Sequence, residues 1–150
     1  MSRYQTSPIM EPEELAAVLA TRRREENLTI ALANGCFDLL HPGHIAFLQG
    51  AAAEADILVV GINADDTVRV LKGPGRPIMG GADRARLVTA LGMVDYATIF
   101  AEPTADRLIE LLRPNVHCKG TDYSSGVPEE ATAHRVGVRV ALVGGPKTHN

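Results

Sequence analysis

The sequence has few cysteines and no long apolar run, and each absence excludes a class of protein. Its 150 residues include two cysteines, Cys36 and Cys118, and neither belongs to a Cys-x-x-Cys pair. Two cysteines make a poor zinc site, and in their apolar, strand-like surroundings we expect both to be buried free thiols. No apolar run is long enough to span a bilayer, so we expect no membrane partner.

Targeting signals and basic tracts are also missing. Residues 1–15, MSRYQTSPIMEPEEL, contain no basic segment followed by an apolar one, so we expect a cytoplasmic protein. The densest basic run is three arginines at residues 22–24, and two glutamates follow it directly. With a net charge of −3, this pattern indicates a solvated helix face and argues against a nucleic-acid partner.

Short apolar runs alternate with amphipathic segments along the rest of the chain. The runs predict strands at 28–33, 57–62, 96–100, 116–119 and 138–143. The amphipathic segments predict helices at 11–26, 44–54, 65–71, 83–92, 104–112 and 128–137, with Asp83 and Thr104 as N-terminal caps. The alternation predicts an α/β fold, a Rossmann-like doubly wound parallel five-stranded sheet in one domain, residues 1–150. We expect loose termini at 1–10 and 144–150.

The segment NGCFDLLHPGH, residues 34–44, carries the strongest chemical signal. It leaves the first predicted strand and enters a helix, and parallel sheets bind ligands where their strands end. Pro42 and Gly43 suit a helix start, whose unpaired N–H groups attract phosphate oxygens. His41 and His44 are three residues apart and share one side of the first turn. These features predict a cradle for a triphosphate.

Two other interpretations of the histidine pair remain open. Both side chains can serve as helix caps or surface residues. A zinc site would need further ligands, and no glutamate or cysteine stands at metalloprotease spacing, so we predict no protein-bound metal.

Several segments together carry a family resemblance. They are NGCFDLLHPGH at 34–44, GINADDTVRVLKGPGRPI at 61–78, the helix that begins near Asp83 and Arg84, ALGMVD at 90–95 and KGTDY at 119–123. With them the chain resembles the cytidylyltransferase-like nucleotidyltransferases that carry an HxGH signature. Within that family it is most similar to the D-glycero-β-D-manno-heptose 1-phosphate adenylyltransferases, through its LKG…RP and KG-x-DY stretches.

The resemblance implies a reaction and its participants. AMP would pass from ATP to a heptose 1-phosphate with release of pyrophosphate, giving ADP-heptose for lipopolysaccharide core synthesis. ATP would come with Mg²⁺, and the protein would form a homodimer. The implied catalytic residues are His41, His44 and Lys72. The implied nucleotide-binding residues are Asn34, Gly35, Cys36, Phe37, His41, Gly43, His44, Arg84, Lys119, Gly120 and Asp122. The implied substrate-binding residues are Asp38, Asn63, Asp65 and Arg76.

Local structural roles compete with several of these assignments. Lys72 and Arg76 can be solvated charges in a Gly/Pro-rich loop, and Asp38 can cap backbone N–H groups. A cation at Arg84 opposes the dipole of the helix it starts, which favours a phosphate partner. Lys119 can be a solvent-facing strand end. A turn role competes with substrate contact for Asn63 and Asp65 in the same way.

Two other functions stay open. A glycerol-3-phosphate-type cytidylyltransferase using CTP would need the same histidines, because they bind phosphates and not the base. The second open function is that of a nucleotide-binding module without catalysis. The resemblance also implies a Ser/Thr-Thr segment after the last strand, where residues 144–150 offer the single hydroxyl of Thr148.

Overall fold

The computed structural model describes residues 6–123 and 125–145. The strands in this part of the chain are β1 (Ile30–Gly35), β2 (Ile57–Asn63), β3 (Tyr96–Phe100), β4 (Val116–Gly120) and β5 (Arg139–Val143). The helices are α1 (Pro12–Glu26), α2 (Pro42–Ala52), α3 (Asp65–Lys72), α4 (Gly81–Thr89), α5 (Asp106–Leu112) and α6 (Glu130–Val136), with a 3-10 turn at Thr121–Tyr123.

The five strands form one parallel sheet in the order β3-β2-β1-β4-β5. Strand β1 lies at its centre, with Leu32 in register with Val59 of β2 and His117 of β4. Strands β2 and β3 lie on one side of β1, and β4 and β5 lie on the other side. The strand order therefore reverses between β1 and β4. The predicted Rossmann-like α/β fold is confirmed.

Helices bury the sheet on both faces, as strands without a polar side require. All seven residues of β2 are buried. On one face, Leu48 of α2 and Val88 of α4 join one apolar cluster. On the other, Leu15 of α1 and Leu108 of α5 join a second cluster. No helix among residues 6–123 and 125–145 is both long and apolar enough to cross a bilayer.

Two predicted helix caps are wrong. Helix α4 begins earlier than predicted, at Gly81, with Gly80 as its N-cap, so Asp83 lies inside the first turn. Helix α5 begins later, with Ala105 at the N-cap position. The hydroxyl of Thr104 donates to the carboxylate of Asp106 and therefore does not cap the backbone.

The predicted loose N-terminus is ordered over its described part. Ile9 forms a parallel bridge with Ala97 of β3. The N–H of Ala97 donates to the Pro8 carbonyl, and the N–H of Met10 donates to the Ala97 carbonyl. These bonds cover the edge of β3. Residues 1–5 and 146–150, including Thr148, lie outside the described residues.

One core position facing α5 and α6 is polar. His117 has none of its surface exposed, and burial lowers the pKa of its ring to about 4. The ring is therefore neutral in the folded protein at neutral pH. Nearby negative charge on Glu129 and Asp106 opposes this shift only in part.

We predict that His117 makes the protein less stable in mild acid. Between about pH 6.5 and pH 4 the unfolded chain binds a proton at this histidine that the folded chain excludes. The free energy of unfolding should fall by up to about 3 kcal/mol across that window, with no contribution above it. Urea unfolding at a series of pH values measures the fall.

A His117→Leu variant should lose this part of the pH dependence, whereas His134→Gln should keep it, because His134 is exposed on α6. Identical pH dependence in the unmodified protein and His117→Leu would contradict the prediction.

Candidate active site

The carboxyl ends of β1 and β4 meet at the point where the strand order reverses, and the end of β2 lies beside that of β1. Parallel sheets of this kind bind ligands there. Most of the predicted site residues lie at this edge: Asn34, Gly35, Cys36, Phe37 and Asp38 at the end of β1, Asn63 and Asp65 after β2, and Lys119, Gly120 and Asp122 at and after β4. The edge therefore brings together residues that are far apart in sequence.

His41 and His44 lie side by side at the start of α2. Their rings stack with centroids 3.9 Å apart, and both side chains are half-buried. The backbone N–H of Gly43 donates to His41 Nδ1 at 3.1 Å, and the N–H of His41 donates to His44 Nδ1 at 3.2 Å. The two histidines thus form a reciprocal capping box.

Capping fixes the chemistry of these rings. An Nδ1 atom that accepts a hydrogen bond carries no proton, so a neutral ring has its N–H on Nε2. In both His41 and His44 the Nε2 atom is then the nitrogen that carries the N–H, beside the positive end of α2. The capping interpretation and the phosphate interpretation of the pair are compatible, because they use different ring nitrogens.

Two glycines shape this turn through close contacts. A Cβ atom on Gly43 would lie 2.8 Å from His41 Cε1, so the ring can cap the helix only beside a glycine. A Cβ on Gly35 would lie 3.2 Å from the ring of Phe37, which in turn packs against His44 with centroids 5.5 Å apart. Phe37 has a positive φ of 49°, a conformation that non-glycine residues seldom adopt.

Asp38 holds the Gly/Pro-rich loop. Its carboxylate accepts from the N–H groups of Ile78 and Met79 at 2.9 Å and pairs with Arg76 Nε at 3.0 Å. Burial works against the charge, but the two N–H groups and the Arg76 guanidinium lower the pKa of Asp38 below its ordinary value. The bonds to Ile78 and Met79 are the backbone contacts that the capping interpretation of Asp38 predicts, whereas the pair with Arg76 was not predicted.

Arg84 is fully buried and joins the ends of two strands to the loop. Its guanidinium donates to the carbonyls of Cys36, Asn63 and Met79, and it pairs with Asp65 at 2.6 Å. These partners lie directly after β1, at the end of β2, at the start of α3 and in the loop that precedes α4. The structure gives Arg84 protein acceptors where the sequence suggested a phosphate.

Lys72 ends α3 and is exposed near Cys36. Burial raises the pKa of the Cys36 thiol, and the charge of Lys72 opposes that rise. Cys36 is only half-buried, in contrast to the expected core position, and its Sγ lies 3.6 Å from Asn63 Oδ1. Cys118 is buried in β4 as expected.

Lys119, the last residue but one of β4, lies inside the protein, contrary to the solvent-facing alternative. Its side chain is buried, and its Nζ lies 4.3 Å from the centroid of the Tyr123 ring. Burial lowers the pKa of this lysine, while Glu129 and Asp122 counteract the effect. Asp122 itself is exposed in the turn beyond Gly120.

Two buried polar residues beside this edge were missed by the sequence analysis. His117 Nε2 lies 2.7 Å from Asn34 Oδ1, and Glu129 is buried next to the start of α6. His117 could have been found from the sequence, because it is a histidine inside a predicted apolar strand. Glu129 lies beside Glu130 at the start of the helix predicted at 128–137, where acidic residues commonly face solvent, and gave no such signal.

Metal ligands are sparse in the described part of the chain. No group of three or more His, Cys, Asp or Glu side chains there is arranged to hold a metal ion. A shallow, mostly apolar groove of about 550 Å³ lies beside His41, lined by Leu40, Pro42, Ile45 and Leu91 among others. His41 and Gln49 are the polar residues of its lining, so the groove meets the candidate site at His41.

The sequence matches the cytidylyltransferase-like family over residues 32–148, and the chain belongs to that family. Its relatives include proteins named bifunctional protein HldE. The one from Mesorhizobium japonicum is 43% identical over 85% of this chain, and the one from Geotalea uraniireducens is 47% identical over 87%. These alignments cover 26% and 27% of the relatives, so the chain spans about a quarter of their length.

Solved structures agree with the family. A lipopolysaccharide core biosynthesis protein from Thermoplasma volcanium superposes with a TM-score of 0.66 at 26% identity, over 77% of this chain and 96% of that one. Pantothenate synthetase from Thermus thermophilus shares the fold, with a TM-score of 0.62 at 20% identity over 96% of this chain and 63% of its own. These findings confirm the predicted family and its enzyme class, that of the nucleotidyltransferases.

We predict that Gly43→Ala weakens nucleotide binding without unfolding the protein. The new Cβ would push the His41 ring from its capping position, and a ligand-binding group that is displaced binds poorly. Affinity for ATP should fall about tenfold by calorimetric titration, with the free energy of unfolding changed by less than about 1 kcal/mol.

The matched control is Gly92→Ala, because a Cβ there meets no atom within 4 Å. Unchanged ATP affinity in Gly43→Ala would contradict the importance of the His41 position.

We predict a large loss of stability for Arg84→Met. The substitution leaves three carbonyl acceptors without their donor, and breaking such buried charged contacts costs about 3–5 kcal/mol. The free energy of unfolding in urea measures the loss. Arg86→Met on the exposed side of α4 should change it by less than about 0.5 kcal/mol. Equal effects of the two variants would refute the structural role of Arg84.

Proposed function

We propose that this chain transfers AMP from ATP to a sugar 1-phosphate of the heptose class and releases pyrophosphate. The observation that carries the proposal is the stacked pair His41 and His44, with both Nδ1 atoms used as caps at the start of α2. The likeness to the lipopolysaccharide core biosynthesis protein from Thermoplasma volcanium supports a place in lipopolysaccharide core synthesis, and the product would be ADP-heptose.

The phosphates of ATP would bind at the N-terminus of α2. Backbone N–H groups there and the Nε2–H groups of His41 and His44 are donors that suit phosphate oxygens. Asn34, Gly35 and Phe37 would line the same edge from β1. Lys119, Gly120 and Asp122 would flank the adenosine from β4, on the other side of the point where the strand order reverses.

The chemistry needs no strong general base. An oxygen of the sugar phosphate, already anionic, would attack the α-phosphorus in line. The new O–P bond forms as the bond from the α-phosphorus to the bridging oxygen breaks, and pyrophosphate carries away the electron pair. The protein then contributes position and charge stabilisation, which His41, His44 and Lys72 would supply.

ATP would arrive as its Mg²⁺ complex, because the described residues offer no carboxylate cage and Mg²⁺ prefers phosphate oxygens and water. The ion would neutralise charge on the departing pyrophosphate.

The other predicted site residues fall into three groups according to what they contact in the structure. Lys72 is exposed near Cys36 and would reach the phosphates as a flexible cation. Asp38 and Arg76 pair with each other and would shape the side facing the sugar phosphate. Arg84, Asn63 and Asp65 would act as positioning residues, since they bind one another at the end of β2.

The test is a pyrophosphate-release assay with ATP, CTP, GTP and UTP against a panel of sugar and alcohol phosphates. We expect turnover with ATP and a heptose 1-phosphate. His44→Ala should lower turnover about 100- to 1000-fold, the usual cost of removing one transition-state donor. His134→Ala, an exposed histidine on α6, is the matched control and should change nothing.

Three outcomes would contradict the proposal. Preference for CTP with glycerol 3-phosphate would indicate a cytidylyltransferase. Nucleotide binding without pyrophosphate release under any combination would indicate a regulatory module. Full turnover in His44→Ala would refute the assigned mechanism.

A further inference from the structure

A buried histidine contacts the candidate nucleotide site from beneath. His117 on β4 has none of its surface exposed, and its Nε2 atom lies 2.7 Å from Asn34 Oδ1 at the end of β1. Its Nδ1 atom is buried without a hydrogen-bond partner among the described residues. The ring thus makes one specific polar contact, and that contact leads to the strand-end edge.

Asn34 lies between His117 and the strand-end edge. It precedes Gly35 in the segment that leads to His41, and its side chain is half-buried. An amide presents a carbonyl on one branch and an NH₂ group on the other. Because Oδ1 faces His117, the NH₂ group is the branch left for a ligand.

The proton position on His117 follows from this geometry. A carbonyl oxygen can only accept, so a 2.7 Å contact requires an N–H on Nε2. Burial lowers the pKa of the ring to about 4, so at neutral pH it has a single N–H and Nδ1 is an unprotonated acceptor. A buried lone pair without a partner is tolerated better than a buried N–H without one.

Three charged groups act on the ring, and their charges influence which of its two nitrogens carries the proton. Glu129 and Asp106 act on it as negative charges, and Lys119 acts as a positive one. Glu129 is buried, with Oε2 accepting from the Ala105 N–H at 2.8 Å and Oε1 left without a partner. A carboxylate facing Nδ1 would draw the proton there, and the Asn34 amide would then turn its carbonyl to the ligand.

We propose that His117 is a positioning residue for the nucleotide: it donates from Nε2 to Asn34 Oδ1 and so holds the Asn34 NH₂ group toward the strand-end edge as a donor. A donor there suits the oxygens of a nucleotide, whereas a carbonyl would repel them. The inference rests on the proposed function only in placing a nucleotide at the end of β1.

The first test needs neither nucleotide nor turnover. ¹⁵N NMR of the histidine-labelled full chain at pH 7 reports the proton on each ring nitrogen, with His117 assigned by its loss in His117→Gln. We expect a neutral ring with N–H on Nε2. A proton on Nδ1, or a charged ring, overturns the proposal whatever reaction the protein catalyses.

The second test measures ATP affinity by calorimetry. His117→Leu removes the donor and should weaken binding about five- to tenfold. His117→Gln keeps an amide donor for Asn34 and should restore affinity to within about twofold. In an Asn34→Ala background, His117→Leu should have no further effect, because the two residues act through one contact.

Thr98→Val is the control for removing a buried polar group elsewhere, since Thr98 Oγ1 on β3 also has no partner among the described residues. It should leave affinity unchanged. Two results would show that His117 serves only in packing. One is an ATP affinity in His117→Leu equal to that of the unmodified protein. The other is an equal loss of ATP affinity in His117→Leu and His117→Gln. If ATP fails to bind the unmodified protein, the proposed function fails and the NMR result still decides the tautomer.

Discussion

The hydrogen bonds that join the start of α2 to the Nδ1 atoms of His41 and His44 are the constraint on which the site depends. They satisfy backbone donors that a helix otherwise leaves unpaired. They also decide which nitrogen of each ring carries a proton. One set of contacts therefore begins the helix and orients two Nε2–H groups, so that in the proposed function local stability and phosphate recognition would have the same origin.

Two charged residues beside the start of α2, Arg84 and Asp38, are already paired within the protein and help to hold the neighbouring backbone. Arg84 links the ends of β1 and β2 from inside, and Asp38 holds the backbone of the Gly/Pro-rich loop. The described contacts of both residues are to other parts of the protein. Lys72, by contrast, is exposed at the end of α3, and in the proposed function it would contribute positive charge to the phosphates. Such a division between buried positioning groups and exposed binding groups suits a reaction in which the protein supplies position more than proton transfer.

Much of the fold and part of the site follow from the sequence in physical terms. Alternating apolar and amphipathic segments require a parallel sheet covered on both faces, and the His-x-Gly-His spacing requires both rings on one side of a helical turn. The environment of Arg84 could not be predicted, because its acceptors are carbonyls that only the tertiary fold brings together. The pairing of residues 8–10 with β3 uses main-chain groups, which leave no side-chain pattern in the sequence.

The most direct measurement of the central claim is the proton position on His41 and His44, observed by ¹⁵N NMR with and without a non-hydrolysable ATP analogue. The account predicts N–H on Nε2 in both rings at neutral pH, and a change in the Nε2 and not the Nδ1 signals when the analogue binds. Protons on Nδ1, or signals of both rings that do not respond to a bound analogue, would contradict it.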